Sequence, residues 1–294
     1  FKKRNAQSYF AIQTFAAPIV QTQGTAQGFH FDNSNMKPII NNEGWKKAFE
    51  LYKATGKYGP PDELNMDIGD TRALFKAGRC GLIVEWGDPG TLQLDDDAKS
   101  IRGKMYAISA VGSTEVLDRA TGKLVPVSSA TAPYAVDGIN YAPFAAFGGW
   151  AGAVNKGADA KTKAAAYAFL SYMNQAAQSG VDVTIGATGY NPYRTSQLAS
   201  TDLWVKAGMP KALADNYLGA INGAINNLNM ASDMKIPGAQ KYTSVVLDTE
   251  LARYLAGEIS VDEALANIEE GWEEVTEDFG RDEQVASQAL ALGL

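Results

Sequence analysis

Along this chain, stretches with apolar residues three or four positions apart alternate with short runs that are apolar nearly throughout. The first kind predicts helices, the second strands buried on both faces. In Glu43 to Thr55, Trp45, Ala48, Phe49 and Tyr52 share one side of a helix that Asn41 or Asn42 can cap and Gly59-Pro60-Pro61 stops. A second helix, roughly Ile68 to Ala77, carries Ala73, Leu74 and Phe75 and ends at Gly78. The run CGLIVEW, Cys80 to Trp86, then reads as a buried strand. Lys104 to Val111 reads as another, and Ser113 to Ala130 as a hairpin turning at Thr121-Gly122. Ahead of all these, Ala6 to Gln23 fits either a helix ending near Pro18 or an irregular strand.

The pattern is organised around Ala145 to Met173. Gly148-Gly149 stands beside Trp150, a short apolar strand runs from Ala151 to Val154, and a helix follows with Ala164, Tyr167, Ala168, Leu170 and Met173 in its apolar stripe. Glycines let a backbone approach another molecule closely, and the indole offers a flat apolar face with one N–H donor. Sugar rings need that combination, since their C–H faces stack while their hydroxyls take directed hydrogen bonds. The same residues also read as an ordinary strand-to-helix unit with a core tryptophan.

Beyond this centre, Gln175 to Ile185 predicts a short helix. The glycine- and proline-dense stretch Gly186 to Ser196 then breaks the pattern and presents Tyr190, Asn191, Tyr193 and Arg194, which supply ring faces and a fixed fork of donors. Helices are predicted over 202–207, 211–226, 238–256 and 261–279, the last capped by Ser260 with Glu263 three residues on. The alanine-rich tail 282–294 either frays or docks. Two loops hold further candidates. Trp86-Gly87-Asp88-Pro89-Gly90 follows a strand, where ligands of open α/β sheets bind. Trp86 and Asp88 are therefore candidate contacts, or else a half-buried ring and a helix cap. Tyr134 to Phe147, with Tyr134, Asn140, Tyr141, Pro143 and Phe144, has the aromatic content of a binding loop.

Composition narrows the chemistry. With 294 residues, 46% of them hydrophobic, the chain can bury a sizeable core or two lobes. A net charge of −7 speaks against a nucleic-acid partner. No apolar run approaches the ~18 residues of a membrane span. Cys80 is the single cysteine and His30 the single histidine, so neither an internal disulfide nor a Cys/His metal set is available. A hydrolytic triad would need His30 itself, in what reads as a turn between strands. Glu85 and Asp88 are the one acidic pair beside an aromatic loop, and Glu85 points away from Asp88 along a strand, against a glycosidase. Phe1 leads straight into Lys2, Lys3 and Arg4, as in a mature or truncated product.

Four blocks, in order, resemble the family 1 extracellular solute-binding proteins, the class that includes maltose-binding protein: NNEGWKKAFELYKATGKYGPP, DTRALFKAGRCGLIVEWGDPG, FGGWAGAVNKGADAKTKAAAYAFLSYM and LARYLAGEISVDEALANIEEGWEEV. ATGYNPYRTS resembles that family's Gly-Tyr-Pro-x-Arg loop. The resemblance implies an α/β fold of the type II periplasmic-binding-protein class, a two-lobed clamp that holds a small solute, usually a sugar, in the cleft between its lobes. It implies a non-enzymatic protein of the periplasm or cell exterior, without cofactor, that serves an ABC permease. Trp86, Gly149, Trp150, Tyr190 and Arg194 would line the cleft, with Asp88 a further candidate, and Trp86 and Trp150 would come from different lobes. Residues 1–109 and 186–294 would belong to the second lobe and 110–185 to the returning part of the first. Family members carry most of the first-lobe sheet ahead of anything like Phe1, so this lobe is expected to be incomplete. The hairpin LDRATGKLV and the long loop before FGGW also resemble family domains within larger signalling proteins. A ligand-sensing ectodomain fused to a membrane module is therefore the alternative.

Overall fold

The side chain of Asn42 accepts hydrogen bonds from the backbone N–H groups of Gly44 and Trp45, at 2.9 and 3.1 Å, and so opens the first strongly amphipathic helix. The same logic starts two others. Asp159 accepts from Thr162 N at 3.0 Å, and Ser260 from Glu263 N at 3.1 Å. In this computed structural model, which describes residues 2–146, 149–186 and 188–294, the helices in chain order are α1 (Ser8–Val20), α2 (Glu43–Ala54), α3 (Ile68–Lys76), α4 (Ala160–Met173), α5 (Ala176–Asp182), α6 (Thr195–Leu198), α7 (Asp202–Lys206), α8 (Lys211–Ile225), α9 (Asp248–Ala256), α10 (Val261–Phe279) and α11 (Arg281–Leu292). Phe147 and Gly148, the first half of the predicted Gly148-Gly149 pair included, lie outside the described residues, as does Ala187.

The chain divides into two compact units, Phe1–Ala73 with Ser109–Phe147 and Gly223–Leu294, and Leu74–Ile108 with Gly148–Asn222. The break at 108/109 falls beside the expected boundary at 109, and the others, after 73, 147 and 222, lie away from the expected boundary at 185. Packing gives the reason in the first unit. Leu117 and Ala142 share one core with Ile12, Val20 and Trp45, which draws the middle stretch to the first. Asn140 Nδ2 donates to the carbonyls of Pro18 and Gln21, both at 2.8 Å. Asn229 Nδ2 donates to Gln21 O at 2.7 Å and to Asn140 Oδ1 at 3.0 Å, and this buried network draws in the third stretch. Asn140, predicted on a binding loop, is therefore a buried brace.

The strands among the described residues all lie in the first unit and are short. They are β1 (Gly112–Ser113), β2 (Glu115–Asp118), β3 (Lys123–Pro126), β4 (Asn140–Tyr141), β5 (Phe144–Ala145) and β6 (Ala231–Ser232). β2 and β3 form the predicted hairpin, with Asp118 opposite Lys123 and Gly122 at φ +70° in the turn. β1 pairs antiparallel with β4, and β5 pairs parallel with β6. Of the two readings of 6–23, the helix forms: α1 passes through Pro18 and ends just beyond it at Val20, with Ala16, Ala17, Ile19 and Val20 in the core. α11 docks: Gln284 Nε2 donates to Pro237 O at 2.9 Å and Gln288 is buried.

His30 sits deep in this first core, ringed by Phe29, Phe31, Phe144 and Trp272, and its Nε2 shares a hydrogen bond with Gln13 Oε1. Full burial lowers its pKa from 6.5 to about 3, so the ring is neutral at pH 7. It is a buried core histidine.

The expected strands 80–86 and 151–154 of the second unit, and 104–111, which runs from the second unit into the first, are absent among the described residues, since no neighbouring strand supplies a ladder. Their apolar side chains stay outside: Leu82 is 91% exposed, and Val84, Tyr106, Ile108 and Val154 are also exposed. α4 forms over the predicted residues yet buries none of them. What holds this unit is a cluster of Val183, Trp204, Met209, Leu213, Ala214, Tyr217 and Leu218, and a smaller one of Phe75, Leu92, Ala98 and Ile101.

Candidate functional site

The loop that follows α5 becomes the meeting point of three stretches of the second unit. Thr188 Oγ1 donates to the carbonyls of Asp182 and Ile185, at 3.2 and 2.9 Å, which folds the loop back on the end of α5. Gly186 then lies against the backbone of Thr91 and Leu92. A Cβ there would be 2.8 Å from Leu92 Cα and from the Thr91 carbonyl oxygen. Further along, Asn191 sits directly over Gly87, where an added Cβ would be 2.6 Å from Asn191 Oδ1. From the other direction, Trp150 Nε1 donates to the carbonyl of Gly189 at 3.4 Å, a long bond. The loops that carry Trp86 and Tyr190 thus touch each other and Trp150.

The six predicted residues all belong to this second unit, Trp86 and Trp150 included, although the resemblance implies one from each lobe. Trp86 is half-buried. Asp88, at 3% exposure, opens a short 3-10 turn, Asp88–Leu94, in which Thr91 Oγ1 donates to the Asp88 carbonyl at 2.8 Å. Gly149 has φ +124°, a conformation open to glycine alone, and a side chain there would meet nothing within 4 Å. Trp150 is 71% exposed. Tyr190 is half-buried against the Trp204–Tyr217 cluster.

Arg194 is the residue whose surroundings change most. Its Nε donates to Ser179 Oγ at 3.1 Å, its Nη2 to the Asn174 carbonyl, and its guanidinium lies over the Tyr193 ring, 5.4 Å from the centroid. Gln197 Oε1 meanwhile accepts from the backbone N–H groups of Tyr193 and Arg194, at 3.0 and 3.1 Å. These contacts hold the corner between α4 and α5.

Sequence reasoning passed over Tyr217, whose spacing in α8 matches an ordinary core position. It is buried with its hydroxyl unpartnered among the described residues, and its ring fills the space over Gly90 that a side chain there would occupy. Burial first, and the charge of Asp88 second, push its pKa up, so the phenol stays protonated. Gly87 and Gly186 were equally silent, because close approach leaves no mark in a sequence beyond the glycine itself. Among the described residues, no group of three or more His, Cys, Asp or Glu side chains is close enough to hold a metal ion. An apolar groove of about 330 Å³ in the first unit, lined by Phe15, Ile19, Leu51, Tyr58 and Val111, shares no residue with the candidate set.

Comparison with solved structures bears on the fold. An ABC-transporter solute-binding protein from Agrobacterium vitis S4, solved with bound D-mannitol, matches 95% of this chain at 19% identity with a TM-score of 0.56. A chain from Synechococcus sp. MITs9220, provisionally named an oligosaccharide periplasmic-binding protein, matches 93% at 12% identity with a TM-score of 0.50. No protein-family profile matches the chain, and no curated protein does. The chain spans about three fifths of each of these two structures, 61% of the first and 59% of the second. Its fold is the α/β fold of the periplasmic solute-binding proteins, as the order of sequence blocks implied.

Proposed function

We propose that this protein captures a small hydroxylated solute, a sugar or a polyol, for ABC-type import, without chemistry of its own. The observation that carries the reading is the convergence of the Trp86–Asp88 loop, the 186–194 loop and Trp150 in one unit. Indole faces beside backbone carbonyls suit a ligand with C–H faces and many hydroxyls. The shared fold and the D-mannitol held by one structural neighbour support this class of solute. In this reading Trp86, Gly149, Trp150 and Tyr190 face the solute and Asp88 supplies a buried acceptor. Arg194 belongs to the same constellation as the brace of the loop that presents Tyr190. The partner is the permease of an ABC importer, and the site of action lies outside the cytoplasm. No described helix is long and apolar enough to cross a membrane.

A thermal-shift screen tests the proposal, because a ligand that binds only the native state raises its stability by mass action. D-mannitol, neutral mono- and oligosaccharides and a uronic acid form the panel. A rise in Tm with neutral members is expected. If no member at millimolar concentration moves Tm, solute capture of this class is excluded.

A further inference from the structure

Gly90, in the middle of the buried turn Asp88–Leu94, has no left-handed φ, so its backbone does not require glycine. What it contributes is space for a ring. A Cβ on residue 90 would collide with Cδ2 and Cε2 of Tyr217 and lie 3.1 Å from Cγ. Turning the ring about its own axis moves the first two atoms but not Cγ, which lies on that axis. Nor can the whole ring swing aside, because Tyr217 is buried in the cluster with Leu213, Ala214 and Leu218, 6.1 Å from the ring centroid of the fully buried Trp204. The turn has little freedom of its own. Gly186 lies on its backbone at Thr91 and Leu92, where the close atoms are a carbonyl oxygen and a Cα that no side-chain rotation removes.

We propose that Tyr217 is a positioning residue for the candidate site: its ring, standing where a side chain of residue 90 would be, seats on α8 the turn that begins at Asp88. The link to the candidate contacts is short. Gly90 N donates to the Gly87 carbonyl at 3.1 Å, and Gly87 lies between Trp86 and Asp88 in the chain. A displacement of Gly90 therefore reaches both residues through one hydrogen bond and two peptide units. The effect on solute rests on the solute-binding reading, but the seat itself can be tested without any ligand.

The experiment compares wild type, Gly90→Ala, Tyr217→Leu, their double variant and Tyr217→Phe, with Gly219→Ala as a control on the same helix, where an added Cβ meets nothing within 4 Å. The readouts are amide hydrogen exchange over 86–94, D-mannitol affinity by calorimetry, and Tm. Gly90→Ala is expected to speed exchange in the turn and to weaken D-mannitol about tenfold or more, as overpacking of a tight contact does. In the Tyr217→Leu background the same substitution should change either readout less than about threefold, because the ring it collides with is gone. Tyr217→Leu alone should also loosen the turn, so the proposal stays testable if Gly90→Ala folds poorly. Tyr217→Phe, which keeps the ring, should keep the wild-type exchange of the turn, and Gly219→Ala should alter none of the three. An equal effect of Gly90→Ala in both backgrounds would overturn the proposal. So would faster exchange spread over the whole chain with a matching fall in Tm, or a loosened turn with unchanged D-mannitol affinity. If wild type binds neither D-mannitol nor any other member of the panel, the solute-binding reading fails, and the exchange measurements still decide whether Tyr217 seats the turn.

Discussion

The guanidinium of Arg194 donates to the hydroxyl of Ser179, 3.1 Å away, and in the same pose to the carbonyl of Asn174 at the end of α4. One side chain from the loop therefore ties the end of one helix to the middle of the next. Arg194→Ala is expected to lower stability by about 1–3 kcal/mol, the cost of leaving such partners unsatisfied. Arg194→Lys should not restore it, since an ammonium cannot reproduce a planar fork. Thermal unfolding of both variants checks this. If Arg194→Ala keeps the wild-type Tm and loses only the binding of a uronic acid, the residue is a ligand contact and the bracing account fails.

Trp150 is expected to behave in the opposite way. With its ring mostly in solvent and a long hydrogen bond to the Gly189 carbonyl, Trp150→Ala should change stability by no more than about 0.5 kcal/mol. Stacking a sugar face on the indole removes some tens of Å² from water on each surface. At roughly 25 cal/mol per Å², that contributes on the order of 1–3 kcal/mol to binding. Calorimetry with a neutral sugar or D-mannitol should therefore show a clear loss of affinity in a protein that unfolds at the wild-type temperature. Unchanged affinity would remove Trp150 from the site.

Acid should destabilise the protein through His30. The folded-state pKa, about 3, lies below the unfolded value of 6.5, so the unfolded chain takes up the proton first. Stability from this group is complete above pH 6.5 and is lost progressively as pH falls toward 3. Between pH 6.5 and 5 the loss should be about 2 kcal/mol, at ~1.4 kcal/mol per unit. Urea unfolding at the two pH values measures it, and in His30→Gln the difference should shrink. A difference of the same size in that variant would assign the acid sensitivity to other groups.

The paired amides Asn140 and Asn229 should be costly to remove. Both are fully buried, and between them they satisfy the carbonyls of Pro18 and Gln21 and the N–H of Gly24, which Asn229 Oδ1 accepts at 2.9 Å. Asn229→Leu, similar in size but unable to hydrogen-bond, is expected to cost about 3 kcal/mol or more, since several buried partners lose a bond at once. Denaturant titration reads the shift. A loss below about 1 kcal/mol would mean that water reaches the site and replaces the amide.

The helices were legible in the sequence because their causes are local. The Asn42 and Ser260 caps and the stripe of Trp45, Ala48, Phe49 and Tyr52 all operate within a few residues, and the structure forms each of them where the spacing predicts. The hairpin at Thr121-Gly122 is of the same kind, since its two strands are each other's neighbours. The order of motif blocks likewise carried the fold, which depends on the succession of elements more than on any one residue.

Tertiary structure decided what depends on partners distant in sequence. Cys80 to Trp86 is apolar enough for a strand, but a strand exists only where another chain segment completes its ladder; without one, Leu82 faces solvent. The stripe of α4 is equally genuine in sequence and equally uncovered. Asn140 reads as a loop residue in the sequence, and the fold gives its amide to Pro18 and Gln21; Arg194 reads as a fork of donors, and the fold directs two of them to Ser179 and Asn174. A side chain's chemistry is written in its residue type. Which group it meets is fixed by how the chain folds back, and a hydrogen bond goes to whichever partner the fold brings within about 3 Å.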